Sequence, residues 1–168
     1  MSHHTEKSLK VNVPANKVWQ VLEDFGSIEK FSTTIKSSPI VGDKACGLGA
    51  KRKCIFDNDS SLVEEIIEYQ EGQGYRMAIS EHSLPLKTMY AEMRVTAIDN
   101  NQCEIYMSAD FVVKGGLFGK LMGHLLMRPM MKGVFTKVMS GLAYYSMTGE
   151  SVGSKLPNNS EFNRIILN

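Results

Sequence analysis

The stretch "VPANKVWQVLEDFGSIEKF", residues 13–31, decides how the rest of the chain is read. Before it, Ser8 to Val13 alternates apolar and polar residues, the pattern of a half-buried strand, and Pro14 closes that strand. Ala15–Glu23 then sets Val18, Trp19 and Leu22 at helical spacing, with Val21 and Phe25 widening the apolar face. Gly26 suits the end of that helix, and Ser27 to Phe31 suits a second short helix or turn. The stretch holds the chain's single tryptophan and no cysteine or histidine, so it reads as architecture. Two short helices after a first strand can plug one end of a larger body.

From Ile35 to Val113 the period changes. Turn signals at "VGDKACGLG", "FDNDSS", "EGQG", "HSLPLK" and "DNNQ" divide it into six short strands, near 36–42, 49–56, 61–70, 75–82, 86–98 and 103–113. Turns this short join strands into an antiparallel meander. After "KGG" (114–116) the helical period returns and runs to about residue 147, with Pro129 expected to kink or restart the helix. Residues 1–148 are expected to form one domain, and the polar, turn-rich 149–168 a loose tail with a weakly apolar end. A seven-stranded antiparallel sheet with one long helix buries its apolar faces by curling around that helix. The expected class is α+β, with a hollow between sheet and helix and Trp19 in the plug.

Composition narrows the function classes. Hydrophobic residues at 43% and charged residues at 22% describe a globular chain, not a disordered one. A net charge of +1 gives no basic face for nucleic acid, and "KRK" (51–53) belongs to a strand. Cys46, Cys54 and Cys103 lack CxxC spacing and fit a reduced, cytoplasmic setting. The N-terminus is polar, without a signal peptide, and no apolar run reaches the ~18 residues of a membrane span. His82 and His124 are isolated, and His3 and His4 fall in an end expected to be disordered, so no metal or other cofactor is expected. "DFG" (24–26) lacks the other kinase motifs, and "GGLFGK" (115–120) is one residue short of a phosphate loop.

The opening stretch resembles the start of the START-like helix-grip superfamily, in its polyketide cyclase/dehydrase and lipid-transport (SRPBCC) branch. The resemblance continues through "GLGAKRK" (47–53), "VEEIIEY" (63–69), "SLPLK" (83–87), "AEMRV" (91–95), "IYMSADF" (105–111) and "LAYYSMTGE" (142–150). It implies a curved seven-stranded sheet wrapped around the long C-terminal helix, and a ligand cavity between them. Phe31 stands where relatives often carry Trp, and Met89 and Met107 where Tyr and Trp are common, so the lining differs.

Candidate site residues follow from strand parity. If Asn58 and Asp59 form a two-residue turn, Arg52 falls directly opposite Glu65, and both point to one face. The resemblance implies that this face is concave. There Arg52 would hold a ligand oxygen and Glu65 would keep it oriented; the plain alternative is a surface ion pair worth under ~1 kcal/mol. Tyr69 shares the parity of Glu65. Tyr75 and Met77 share another face, as do Met89 and Met93, and Met107 and Phe111. The last two sets face one way only if the connection around "NNQ" is a three-residue loop or carries a bulge. On the helix, an apolar stripe that includes Leu121 and Leu125 is wider than one sheet face requires. It fits core packing, a pocket mouth, a dimer contact or a transient membrane-surface contact. His124 is a candidate general base or a polar-edge histidine.

The expected function is binding or transport of a small-to-medium hydrophobic ligand: a lipid, isoprenoid, quinone or polyketide-like molecule. Burying ~300 Å² of apolar ligand surface yields ~7 kcal/mol before association costs. The alternative is a cyclase/dehydratase-like enzyme in the same cavity, with Arg52 polarising a carbonyl and Glu65, His124 or a tyrosine moving protons. A third class is an interaction protein whose hollow is incidental.

Overall fold

Strand β1 (Ser2–Val11) leads into helix α1 (Ala15–Glu23) and a 3-10 helix (Phe25–Lys30). Six strands follow: β2 (Ile35–Ser37), β3 (Lys51–Phe56), β4 (Ser61–Gln70), β5 (Gly74–Ser80), β6 (Leu86–Ala97) and β7 (Cys103–Val113). The computed structural model describes residues 2–167, except the side chains of Phe118 and Lys120. All seven strands form one antiparallel sheet in the order β1-β7-β6-β5-β4-β3-β2, a meander closed by the first strand returning beside the last. β1 begins earlier than its alternation suggests. It pairs with β7 from Ser2 opposite Val112 onward, so His3 and His4 lie in a strand, not in a disordered end.

Val18, Trp19 and Leu22 of α1 are buried, and the Trp19 ring lies 5.6 Å from that of Tyr69. The plug forms as its helical spacing predicts. The C-terminal helical arm has three parts: α2 (Gly116–Met122), a π turn (Gly123–Met127) and α3 (Arg128–Thr148). Pro129 sits in the first turn of α3, directly after the π turn, so the proline, which cannot donate to the helical ladder, falls where the helix changes pitch. Two glycines let this arm approach closely. A Cβ on Gly141 would lie 2.1 Å from the carbonyl oxygen of Phe31, and one on Gly123 2.5 Å from the His3 ring. At Gly141 the neighbour is backbone and admits no side chain; at Gly123 the His3 ring fills the space a side chain would take.

Two loops set the faces of the strands. Between β6 and β7 the residues 99–101 form a three-residue loop, with the Ile98 N–H donating to the Gln102 carbonyl at 2.9 Å and the Asp99 side chain accepting from Asn101 and Gln102. Met93 consequently pairs with Met107 and Met89 with Phe111 on one face. Between β3 and β4 the loop is also three residues, Asp57 to Asp59, with Asp59 left-handed at φ 61°. The two-residue turn expected there is corrected, and the register moves by one: Arg52 pairs with Glu64, and Lys51 with Glu65. A one-residue shift sends a strand's side chains to opposite faces, so Glu64 turns inward and Glu65 outward.

The segment after Thr148, expected to be loose, is bound to the body. Its short helix α4 (Ser160–Ile165) is capped by Asn159, whose side chain accepts from the Phe162 N–H at 2.8 Å. Ile165 and Val152 are buried, and the Phe162 ring lies 6.2 Å from Tyr144. Ile166 bridges Val11, and the Leu167 N–H donates to the Lys10 carbonyl at 3.0 Å. The chain end thereby covers part of the free edge of β1.

Candidate functional site

Between the concave face of the sheet and α3 lies a cavity of about 270 Å³. Its sheet wall carries Met77, Met89, Met93 and Met107, with Ala91 opposite Ala109 keeping the middle shallow. Its helix wall carries Met130, Met131, Val134, Phe135 and Val138; Ile28 of the 3-10 helix and Ser32, Thr34 and Ile35 of the segment after it complete the lining. The lining is almost wholly apolar. Of its members, Thr34, Leu84, Met130 and Val134 reach solvent, which places the mouth between the β5–β6 loop and the start of α3.

The one charged feature of the cavity wall is the pair Arg52–Glu64. Arg52 is 1% exposed. Its Nε donates to Glu64 Oε2 at 2.6 Å, with Nη2 2.5 Å from the same oxygen, and Nη1 donates to the Phe25 carbonyl at 2.7 Å. The guanidinium also lies 4.1 Å from the centre of the Phe25 ring. Burial works against its charge, but the Glu64 carboxylate outweighs this and holds Arg52 above its ordinary range. Cys54, whose Sγ is 3.5 Å from Glu64, is pushed up by burial and then by that carboxylate. Burial pushes the Tyr75 hydroxyl up to about 12, so it stays protonated at neutral pH. The pair is thus an internally satisfied polar strut that fastens β3, β4 and the 3-10 helix together.

The sequence-derived candidates separate into four groups. Met77, Met89, Met93 and Met107 line the cavity, as parity predicts. Arg52 lines it too, but with Nε and both terminal nitrogens engaged it is no open hook for a ligand oxygen. Tyr75 and Phe111 are buried behind the lining, Tyr75 edge-on to Phe25 at 5.5 Å and Phe111 stacked on His3 at 5.3 Å. Glu65, Tyr69, Leu121, His124 and Leu125 lie elsewhere. Glu65 is bonded to Lys51 at 3.2 Å on the convex face. Tyr69 sits against Trp19 at the far end, where a bulge between Ile66 and Glu68 returns it to the inner face. Leu121, His124 and Leu125 are exposed, with His124 Nδ1 3.1 Å from Arg128. The helical stripe runs around more than half of the arm, and its leucine half points outward.

Strand parity missed Glu64, and helical periodicity alone missed which apolar residues of α3 face inward. The overlooked signal for the first is Asp59, a residue that tolerates the left-handed conformation closing a three-residue loop.

A curved antiparallel sheet gripping one long helix over an apolar hollow defines the helix-grip class of proteins. Residues 2–146 match the family described as polyketide cyclase/dehydrase and lipid transport, and the chain belongs to that family. Among curated proteins no sequence matches. Solved structures of low identity share the fold. Norcoclaurine synthase from Thalictrum flavum in complex with dopamine and hydroxybenzaldehyde is 14% identical, with 90% of each chain covered and a TM-score of 0.69. The protein XoxI from Bacillus cereus is 16% identical over 86% of this chain and 96% of its own, also at 0.69. The crystal structure of Ara h 8.0201 is 22% identical over 84% of this chain and 98% of its own, at 0.64. Among the described residues no helix is long and apolar enough to cross a membrane.

Proposed function

We propose that the protein binds and carries a small hydrophobic molecule of the lipid, isoprenoid, quinone or polyketide-like kind in the cavity between sheet and α3. The observation that carries this reading is the lining: methionine-rich and apolar, with its single ion pair already satisfied within the protein. At about 270 Å³ the cavity lies near the lower edge of the ~300–1,000 Å³ usual for small-molecule sites, which favours a compact ligand. Flexible thioethers on both walls adapt to ligands of different outline. The Ser32 and Thr34 hydroxyls offer a hydrogen bond to one ligand oxygen near the mouth. Proton transfer is disfavoured as the main role. Glu64, the carboxylate facing the hollow, is committed to Arg52, and no lining histidine stands beside it.

The test is binding of aminoanthracene, an apolar fluorophore, with displacement by geraniol. The wild-type protein should enhance and blue-shift the fluorescence, and Ala91→Phe, which fills the middle of the cavity, should abolish the enhancement while leaving the protein folded by circular dichroism. Absence of enhancement with the wild type, or full enhancement with the filled variant, would sink the reading.

A further inference from the structure

We infer that the first half of the C-terminal helical arm docks on an anionic lipid surface and holds the cavity mouth against it. The inference rests on the hydrophobic-ligand reading for its purpose, but not for its geometry. Leu117, Leu121, Leu125, Leu126, Met130 and Val134 are all exposed, from 46% at Val134 to 86% at Leu117. A row of large apolar side chains in water is unfavourable unless something covers it. Leu126, Met130 and Val134 follow one another at one-turn spacing, and the last two also line the cavity mouth. The apolar row therefore runs without a break into the opening.

Charge selects the occupant. Residues 111–149 contain no Asp or Glu and carry Lys114, Lys120, Arg128, Lys132 and Lys137, in a chain whose formal net charge is only +1. Glu6 of β1 lies beside Arg128 and Lys132, but the arm itself carries cations and no carboxylate, and an apolar ridge on such an arm is complementary to a bilayer, whose headgroups take the cations and whose acyl boundary takes the leucines. A symmetric pair of copies joined through this face would bring like charges together, which disfavours self-association. The π turn at 123–127 gives the ridge its own local geometry at the point where the arm passes β1.

Cosedimentation with phosphatidylcholine vesicles, with and without phosphatidylglycerol, tests this on the full chain. The wild type should sediment with the anionic vesicles and be released by high salt. Each cation at such a surface is worth about fivefold in partitioning, so Lys132→Gln with Lys137→Gln should reduce binding by about tenfold or more. Leu121→Glu with Leu125→Glu should abolish it. Neither leucine lines the cavity, so the same double variant should bind aminoanthracene in vesicle-free solution as the wild type does. That arm separates the two readings: lost vesicle binding with retained fluorophore supports docking. A wild type that stays in the supernatant overturns docking while leaving the ligand reading intact. Vesicle binding indifferent to both pairs of substitutions overturns it as well. A dimer in sedimentation velocity that dissociates on Leu121→Glu with Leu125→Glu likewise overturns it, assigning the ridge to a second copy.

Discussion

Replacing Glu64 and Glu65 by glutamine, one at a time, discriminates sharply between the inner and outer faces of β4. The substitutions are chemically identical and adjacent, yet their environments differ completely. Glu64→Gln keeps shape but removes the charge opposite Arg52, leaving a guanidinium 1% exposed with a carbonyl, a thioether, an aromatic face and a neutral amide but no anion bonded to it. Breaking a buried pair from one side costs ~3–5 kcal/mol. With a urea slope of ~2 kcal/mol/M, the unfolding midpoint should fall by roughly 2 M. Glu65→Gln loses a contact whose side chains are 44% and 41% exposed, worth under ~1 kcal/mol after solvent screening, or at most ~0.5 M. The single tryptophan, 8% exposed against Tyr69, reports both transitions by fluorescence. Adding Arg52→Met to Glu64→Gln should recover part of the loss, since no buried cation then remains unpaired. Equal losses for the two glutamates, or a larger loss at Glu65, would refute the three-residue loop and the inward placement of Glu64.

Truncation after Gly149 removes the buried Val152 and Ile165 and the bridge to Val11. At ~1.5–3 kcal/mol per buried side chain and ~2–4 °C per kcal/mol, the melting temperature should drop by roughly 10 °C in calorimetry; an unchanged melt would show the tail to be unbound. Alkaline stability supplies a second test. Burial raises Cys103 from 9.0 to about 11 and Tyr75 from 10.0 to about 12. The unfolded chain therefore loses these protons first, and stability should fall as pH rises between about 9 and about 12. Cys103→Ala should flatten the lower part of that fall in pH-resolved urea titrations, and an unaltered slope would contradict the assignment.

Much of the fold was legible because periodicity is a local property. The alternation of Met89 to Val95 and of Ile105 to Phe111 identifies strand faces directly, and a three-residue loop at 99–101 makes the two faces agree. Register is less local. It depends on whether one residue, Asp59, takes a left-handed turn, and that choice alone decides which of two adjacent glutamates meets Arg52. The bulge after Ile66 acts similarly on Tyr69. On the arm, Leu121 and Leu125 are as plainly apolar as Phe135 and Val138, so periodicity cannot say which half faces the sheet. The docking of the tail is poorly legible because its apolar anchors, Val152, Phe162 and Ile165, are few and scattered, and its backbone pairing with Lys10 and Asn12 leaves little mark on composition.

The close backbone approach at Gly141 has a further consequence for selectivity. It limits the inner end of the space under the helix, because α3 there lies too close to the Phe31 carbonyl to admit even one added carbon. The side walls are different, since six of the lining residues are methionines that change rotamer at little expense. On the ligand-binding reading, the hollow is a mould with one fixed end, yielding sides and an open mouth: it accommodates guests of varied girth, and any excess of length must emerge at the opening.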